Sequence, residues 1–152
     1  MKKWKKYCII FLCASVFLTG CSFDIGIPTG YAEEELYQGE GFDTFVDYCK
    51  YFYTEEEDYK FVDHKLYNQV GEDGIDDVTN YFSNFAGCMM AEDRWDEFDF
   101  DYNIISERDY YCINTKEGQE HFGGTYGKYD YYTVYLYDLE SHILYYIHNN
   151  SE

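Results

Sequence analysis

The apolar residues of this chain change period once, and that change limits the fold more than any other feature. Between Ile75 and Met89 they recur at helical spacing, with Ile75, Val78, Phe82, Phe85 and Met89 separated by three or four positions. From Phe98 they alternate: Phe98, Phe100, Tyr102 and Ile104 are interleaved with Asp99, Asp101 and Asn103. A 3.6-residue period buries one stripe of a helix, and a two-residue period buries one face of a strand. Helices first and strands after predict an α+β fold, with helices packed on one face of an antiparallel sheet.

Taken in order, the first predicted element is a helix from Phe42 to Tyr53. Phe42, Phe45, Val46, Cys49, Phe52 and Tyr53 fit an i, i+3, i+4, i+7 stripe. Thr54 to Asp58 reads as a solvated acidic loop, and 59–67 fits either a helical turn or a short strand. The second helix has Asp73 as its expected cap and Asp76 and Asp77 near the positive end of its dipole; Gly87 is expected to weaken or end it. A strand from Phe98 to Ile104 follows, then a turn at Ser106–Asp109 and a strand from Tyr110 to Asn114. Thr115 to Lys128 reads as a glycine-rich loop. The chain closes on a hairpin, Tyr131 to Tyr137 and Ile143 to His148. In its first arm Tyr132, Val134 and Leu136 share one face, opposite Tyr131, Thr133, Tyr135 and Tyr137. The expectation is two N-terminal helices on a roughly four-stranded antiparallel sheet. This ending resembles the strand endings of small exported bacterial domains of the cystatin-like and NTF2-like α+β groups.

The first twenty residues have a different logic. Lys2, Lys3, Lys5 and Lys6 form a basic head, Tyr7 to Leu18 is apolar apart from Ser15, and small residues lead to a cysteine. That is the layout of a secretory signal. As a helix the apolar run spans roughly 18 Å, short of a hydrocarbon core of about 30 Å. Leu18-Thr19-Gly20-Cys21 resembles the bacterial lipoprotein box: aliphatic, small, Gly or Ala, then Cys. The resemblance implies cleavage between Gly20 and Cys21, a thioether-linked diacylglycerol (palmitate-type chains) on Cys21, and anchoring on the extracytoplasmic face of the cell membrane. Two acyl chains supply stable anchoring where one does not. An ordinary signal, or an uncleaved helix with a chance cysteine, is the plainer alternative. The domain reading is a signal over 1–20, a lipidated cysteine and flexible acidic tether over 21–40, and one acidic domain over 41–152. As a flexible coil, the tether has a reach of roughly 25 Å. The lysine-rich head and acidic, tyrosine-rich body resemble lipoproteins of low-GC Gram-positive bacteria.

Charge narrows the partners. Loss of the four lysines in residues 1–20 leaves seven of the 11 Lys and Arg against 30 Asp and Glu, a formal charge of −23. That argues against nucleic acid, whose phosphates need cations, and against charge-driven docking on anionic lipid. A cationic partner such as a cationic peptide or an envelope protein, a metal ion or plain solubility remains, and a solvated acidic surface is the plainest reading. The 20 tyrosines and 12 phenylalanines argue against disorder. Of the six cysteines, Cys8 and Cys13 leave with the signal and Cys21 is acylated. Cys49, Cys88 and Cys112 remain, an odd number that allows one disulfide at most. The preferred expectation is three buried thiols.

Candidate chemistry is sparse. If 98–104 is a strand, Glu97, Asp99 and Asp101 share one face with successive spacing of roughly 6–7 Å, a set that a Ca²⁺ ion could bridge. No other cofactor is implied. Glu72 to Asp77 lacks the alternating order of an EF-hand loop. His142 and His148 are about 20 Å apart by strand rise, too far to share zinc, and His64 and His121 are isolated. Gly123 to Lys128 falls one residue short of a phosphate-binding loop, with Tyr129 where Ser or Thr belongs. No GxSxG, HExxH or SxxK motif occurs. The expectation is a non-enzymatic lipoprotein that acts by binding or assembly at the cell surface. The alternatives are an immunity-type lipoprotein that sequesters cationic peptides, and a cell-wall glycan binder using Tyr131, Tyr135 and Tyr137.

Overall fold

The hairpin that ends the chain forms the middle of the fold. The computed structural model describes residues 26–38 and 45–150. Its main sheet is antiparallel and six-stranded: β1 (Glu33–Gln38), β2 (Phe45–Phe52), β3 (Asn68–Gln69), β4 (Tyr110–Thr115), β7 (Tyr131–Asp138) and β8 (Ile143–Asn150). The order across it is β1-β2-β8-β7-β4-β3. A small ribbon, β5 (Glu120–His121) with β6 (Gly124–Thr125), lies between β4 and β7 in sequence. The helices are α1 (Tyr59–Val62) and α2 (Gly71–Ala91). The class is α+β, as the change of period predicts, but the sheet has six strands where about four were expected.

Register assigns the two faces. On one, Tyr48 of β2 pairs with Ile147 of β8, and Ile147 with Val134 of β7. This face meets Val78, Tyr81, Phe82, Phe85 and Met89 of α2. On the other, Tyr51, Leu144 and Tyr137 line up across the same three strands and meet Phe61 of α1, Tyr67 and Ile27. The ring of Phe61 stacks on Tyr137 at 3.6 Å. The expected packing of helices on one face alone is therefore corrected: α2 covers one side, while α1 and the entry segment cover the other.

The predicted helix at Phe42–Tyr53 is a strand from Phe45 onward; residues 42–44 lie outside the described residues. Val46, Tyr48, Cys49, Lys50, Tyr51 and Tyr53 are all buried. A strand covered on both faces loses its period of two, and its apolar run can then match a helical stripe by chance. The β-branched and aromatic content was the better signal.

The predicted strand at Phe98–Ile104 is also corrected. The segment is extended at Phe98 and Asp101 but, among the described residues, pairs with no strand, and Tyr102–Ile104 closes as a single 3-10 turn. Its alternation is still used. Phe98 and Phe100 point inward, Phe100 stacking on Phe82 at 4.0 Å, while Asp99 and Asp101 are exposed. The chain lies across the α2 side of the core as a cover.

Helix α2 buries Val78, Phe82, Phe85 and Met89 of the expected stripe, leaves Ile75 half-buried against the core, and adds Tyr81 and Gly74. Asp73 is not the cap. The helix starts two residues earlier, where the N–H groups of Val70 and Gly71 donate to the carbonyls of Asp109 and Glu107. Gly87 sits exposed inside the helix, which continues to Ala91. Phe82 is fully buried. Phe82→Ala is expected to lower the unfolding free energy by about 3–5 kcal/mol in urea titration, because collapse around so large a cavity is incomplete.

Candidate functional site

Residues 26–38, expected as part of a flexible tether, are built into the fold. Glu33–Gln38 is edge strand β1, paired along its length with β2. Ala32 N–H donates to the Phe52 carbonyl. Before it, the chain crosses the sheet face opposite α2. The Tyr67 hydroxyl donates to the Gly26 carbonyl and the Tyr53 hydroxyl to the Pro28 carbonyl at 2.6 Å. Lys60 Nζ donates to the Thr29 carbonyl at 2.7 Å and pairs with Glu57 at 2.6 Å. Gly26 is buried under the Tyr135 ring, so close that a Cβ there would lie 2.4 Å from Cζ. Only glycine allows this approach. The segment and α1 form one layer: α1 and the turn after it hold the entry segment through Lys60 and Tyr67.

That layer carries exposed apolar side chains. Tyr59 is 60% exposed, Val62 45% and Leu66 40%. Residues 59–67 contain Lys60 and Lys65 against one acid, Asp63, and residues 26–31 carry no charge. This is a nearly neutral, apolar area on a chain otherwise rich in acid. Sequence reasoning missed it. The available signals were the uncharged Gly-Ile-Pro-Thr-Gly run at 26–30 and the pairing of lysines with unsatisfied apolar residues at 59–66.

The expected Ca²⁺ set is not assembled. Without the strand at 98–104, Glu97, Asp99 and Asp101 have separate partners. Glu97 accepts from Arg94 Nη2 at 2.6 Å. Asp99 takes Lys50 Nζ at 2.8 Å and the Tyr48 hydroxyl at 2.9 Å, and Lys50 also pairs with Glu35. Asp101 accepts from the N–H of Asn103 and caps the turn. Among the described residues, no three acidic, His or Cys side chains are placed to hold a metal ion. Partial burial pushes the Asp99 carboxyl up, but hydrogen bonds from Lys50 and Tyr48 outweigh it and hold the carboxyl below its ordinary value.

Asp58, His142 and Tyr137 do converge. Asp58 Oδ1 accepts from the Tyr137 hydroxyl at 2.6 Å and lies 2.9 Å from His142 Nδ1. With the proton on Nδ1, this carboxylate orients the imidazole as in a base–orienter pair. The neighbouring hydroxyls are engaged elsewhere: Thr54 with Glu57, Ser141 with Asp138. What the trio accomplishes is to tie the β7–β8 turn to α1. The remaining histidines are dispersed, with His64 against Tyr67, His121 against Tyr126 and His148 bonded to Thr133. Lys128, at the end of the glycine-rich loop, bonds Asp77 of α2 at 3.0 Å. Glu72 to Asp77 form the opening turns of α2.

The tyrosine face named for glycan binding is largely interior. Tyr135 and Tyr137 are 2% and 0% exposed, and Tyr131 is half-buried. Cys49, Cys88 and Cys112 form no disulfide with one another; Cys49 and Cys112 are buried as expected, while Cys88 is only half-buried. Cys49 and Cys112 share a face but stand three strands apart through Tyr146 and Tyr135. That is about 14 Å, twice what a disulfide spans. Burial pushes the Cys49 thiol up to about 12. No family model, curated protein sequence or solved structure matches this chain.

Two outcomes test this geometry. Gly26→Ala is expected to cost about 1–3 kcal/mol through overpacking against Tyr135 and to speed proteolysis near residue 26. An unchanged melting temperature and cleavage pattern would place residues 26–31 off the sheet. For Asp99, a lowered folded pKa means stability that is present above 3.8 and lost as pH falls through the folded value. The stability gap between the native chain and Asp99→Asn is therefore expected to be largest near neutrality. It should close below the ordinary carboxylate value, as read by urea unfolding across pH.

Proposed function

We propose that the protein is a membrane-anchored extracytoplasmic lipoprotein, lipidated on Cys21, whose α+β domain works by binding rather than catalysis. The observation that carries this reading is the order of parts. A basic head, an apolar run and Leu18-Thr19-Gly20-Cys21 end five positions ahead of Gly26, the first described residue, which is already packed against Tyr135. Residues 1–25, which hold this signal, lie outside the described residues. The bilayer is the first partner, through the acylated cysteine; an envelope protein or cationic peptide is the second.

A second reading, sequestration of cationic peptides, draws on the run 92–101. Asp93 and Asp96 are exposed there beside Trp95, and Met90 is exposed on the last turn of α2. Acid and apolar surface side by side match a basic amphipathic peptide, and such binding weakens steeply with salt.

Expression with a labelled fatty acid tests the anchor. The native chain is expected to take up label and sediment with membranes. Cys21→Ala is expected to lose the label entirely and to keep its signal uncleaved. Continued labelling of Cys21→Ala overturns the assignment.

A further inference from the structure

The structure gives the entry point of the chain a direction. Gly26 is fixed beneath Tyr135 and bonded to Tyr67, on the sheet face opposite α2. Cys21 lies five residues upstream, and five residues fully extended span at most about 18 Å. A lipid on Cys21 therefore holds this face, rather than the α2 side, close to the bilayer. Beside the entry stand Tyr59, Val62 and Leu66, all exposed, on the layer that Lys60 ties to Thr29 and that Phe61 roots on Tyr137.

We propose that this face rests on the membrane surface, with Tyr59, Val62 and Leu66 seated in the lipid headgroup layer. The proposal rests on lipidation of Cys21. Short tether length determines which face meets the bilayer, and side-chain chemistry makes the contact favourable. Aromatic and aliphatic side chains at this depth are at home where one end is wet and the other apolar. Charge is compatible locally although it is not compatible globally. Residues 59–67 carry a formal charge of +1, against −23 for residues 21–152. Of the acids next to α1, Glu57 is paired with Lys60 and Asp58 is bonded to Tyr137 and His142. Glu55 and Glu56 on the preceding turn, Asp63 after α1 and Glu34 of β1, which shares the sheet face of Tyr51, remain exposed, and their repulsion from anionic headgroups limits the depth to a shallow seat. Tyr31, at the far end of the entry segment from Gly26, is exposed with its ring against Tyr51 and Tyr53.

The test uses the lipidated full chain in vesicles of phosphatidylglycerol and phosphatidylethanolamine, part of the lipid brominated on its acyl chains. After signal cleavage Trp95 is the one tryptophan, and it stands exposed on the α2 side. It serves as the reference. Leu66→Trp and, separately, Val62→Trp, each combined with Trp95→Phe, report the proposed face. Both probes are expected to emit at shorter wavelength than Trp95 and to lose about half their emission to bromine, as a side chain at the headgroup–acyl boundary does. Trp95 is expected to stay unquenched. Flotation of the protein with the vesicles, read in the same sample, separates the two claims. Flotation with unquenched probes at 62 and 66 overturns the membrane-facing surface and leaves the anchor intact. Absence of flotation overturns the anchor and the surface together.

Discussion

A tyrosine is stable in a protein interior only when its hydroxyl finds a partner, and this fold depends on that condition. Its sheet is filled with tyrosine where most sheets carry aliphatic residues. Tyr48, Tyr132, Tyr135 and Tyr137 are among its most buried side chains. Their rings fill the sheet faces and most of their hydroxyls reach past the sheet into the layers above and below. Tyr48 reaches Asp99, Tyr132 reaches Asn84 of α2, and Tyr137 reaches Asp58 at the start of α1. Tyr53 and Tyr67 reach the carbonyls of Pro28 and Gly26. The hydroxyls of Tyr48, Tyr132 and Tyr137 act as bolts between the sheet and one covering segment, while those of Tyr53 and Tyr67, just outside the strands, hold the entry segment. The covers are irregular in form because they need only bring an oxygen to a given point, with no strand or helix geometry required.

The scarce cations follow the same rule. Arg94 lies at the end of α2, with Nη1 donating to the Val46 carbonyl and Nη2 to the Tyr37 carbonyl while Glu97 holds the other side of the guanidinium. It closes the corner between α2 and the β1–β2 edge. Lys50 gathers Glu35 and Asp99, so one ammonium joins the edge strand to the cover at 98–101. Exposed pairs of this kind contribute little each, but these are partly buried and bridge separate elements. The acid they leave over is pushed outward. At the sheet edge it has a use: Glu33, Glu34 and Glu35 stand consecutively on β1, where carboxylates discourage pairing with another chain.

This division explains what could be read from residue order. Helix α2 was legible because it has one face in the core and one exposed, so period reports partner; β7 is buried on both faces, and the closing hairpin was legible from its β-branched and aromatic content on either side of a turn. Strand β2 was not, since cover on both sides erased its alternation and left Val46, Cys49 and Tyr53 to mimic a helix. The segment 98–104 kept its alternation but had no neighbouring strand, and no local pattern distinguishes an unpaired cover from a paired strand. Residues 26–31 were the hardest. Glycine and proline there signalled a linker, while the cause of the glycine at 26 was the ring of Tyr135, more than a hundred positions away. The Glu97, Asp99 and Asp101 set failed with the strand it was drawn on.

Packing of the entry segment also changes what an anchor at Cys21 would do. A free nineteen-residue linker would let the domain tumble and present any surface outward. Five residues would allow a small tilt and little more. The face that carries α1 would then be withheld from soluble partners, and the α2 side would be the one presented. That side carries the acidic run from Glu92 to Asp101, with Trp95 exposed beside it. It stands beyond the sheet and a helix about 10–12 Å across. Anionic headgroups act over a Debye length of about 8–10 Å, so the surplus acid would be clear of the repulsion that would meet it on the anchored face. The exposed acids that stay on the α1 side, Glu34, Glu55, Glu56 and Asp63, would keep the domain from sinking deeper, so a contact of that face with a negative surface would be shallow and would depend on the anchor.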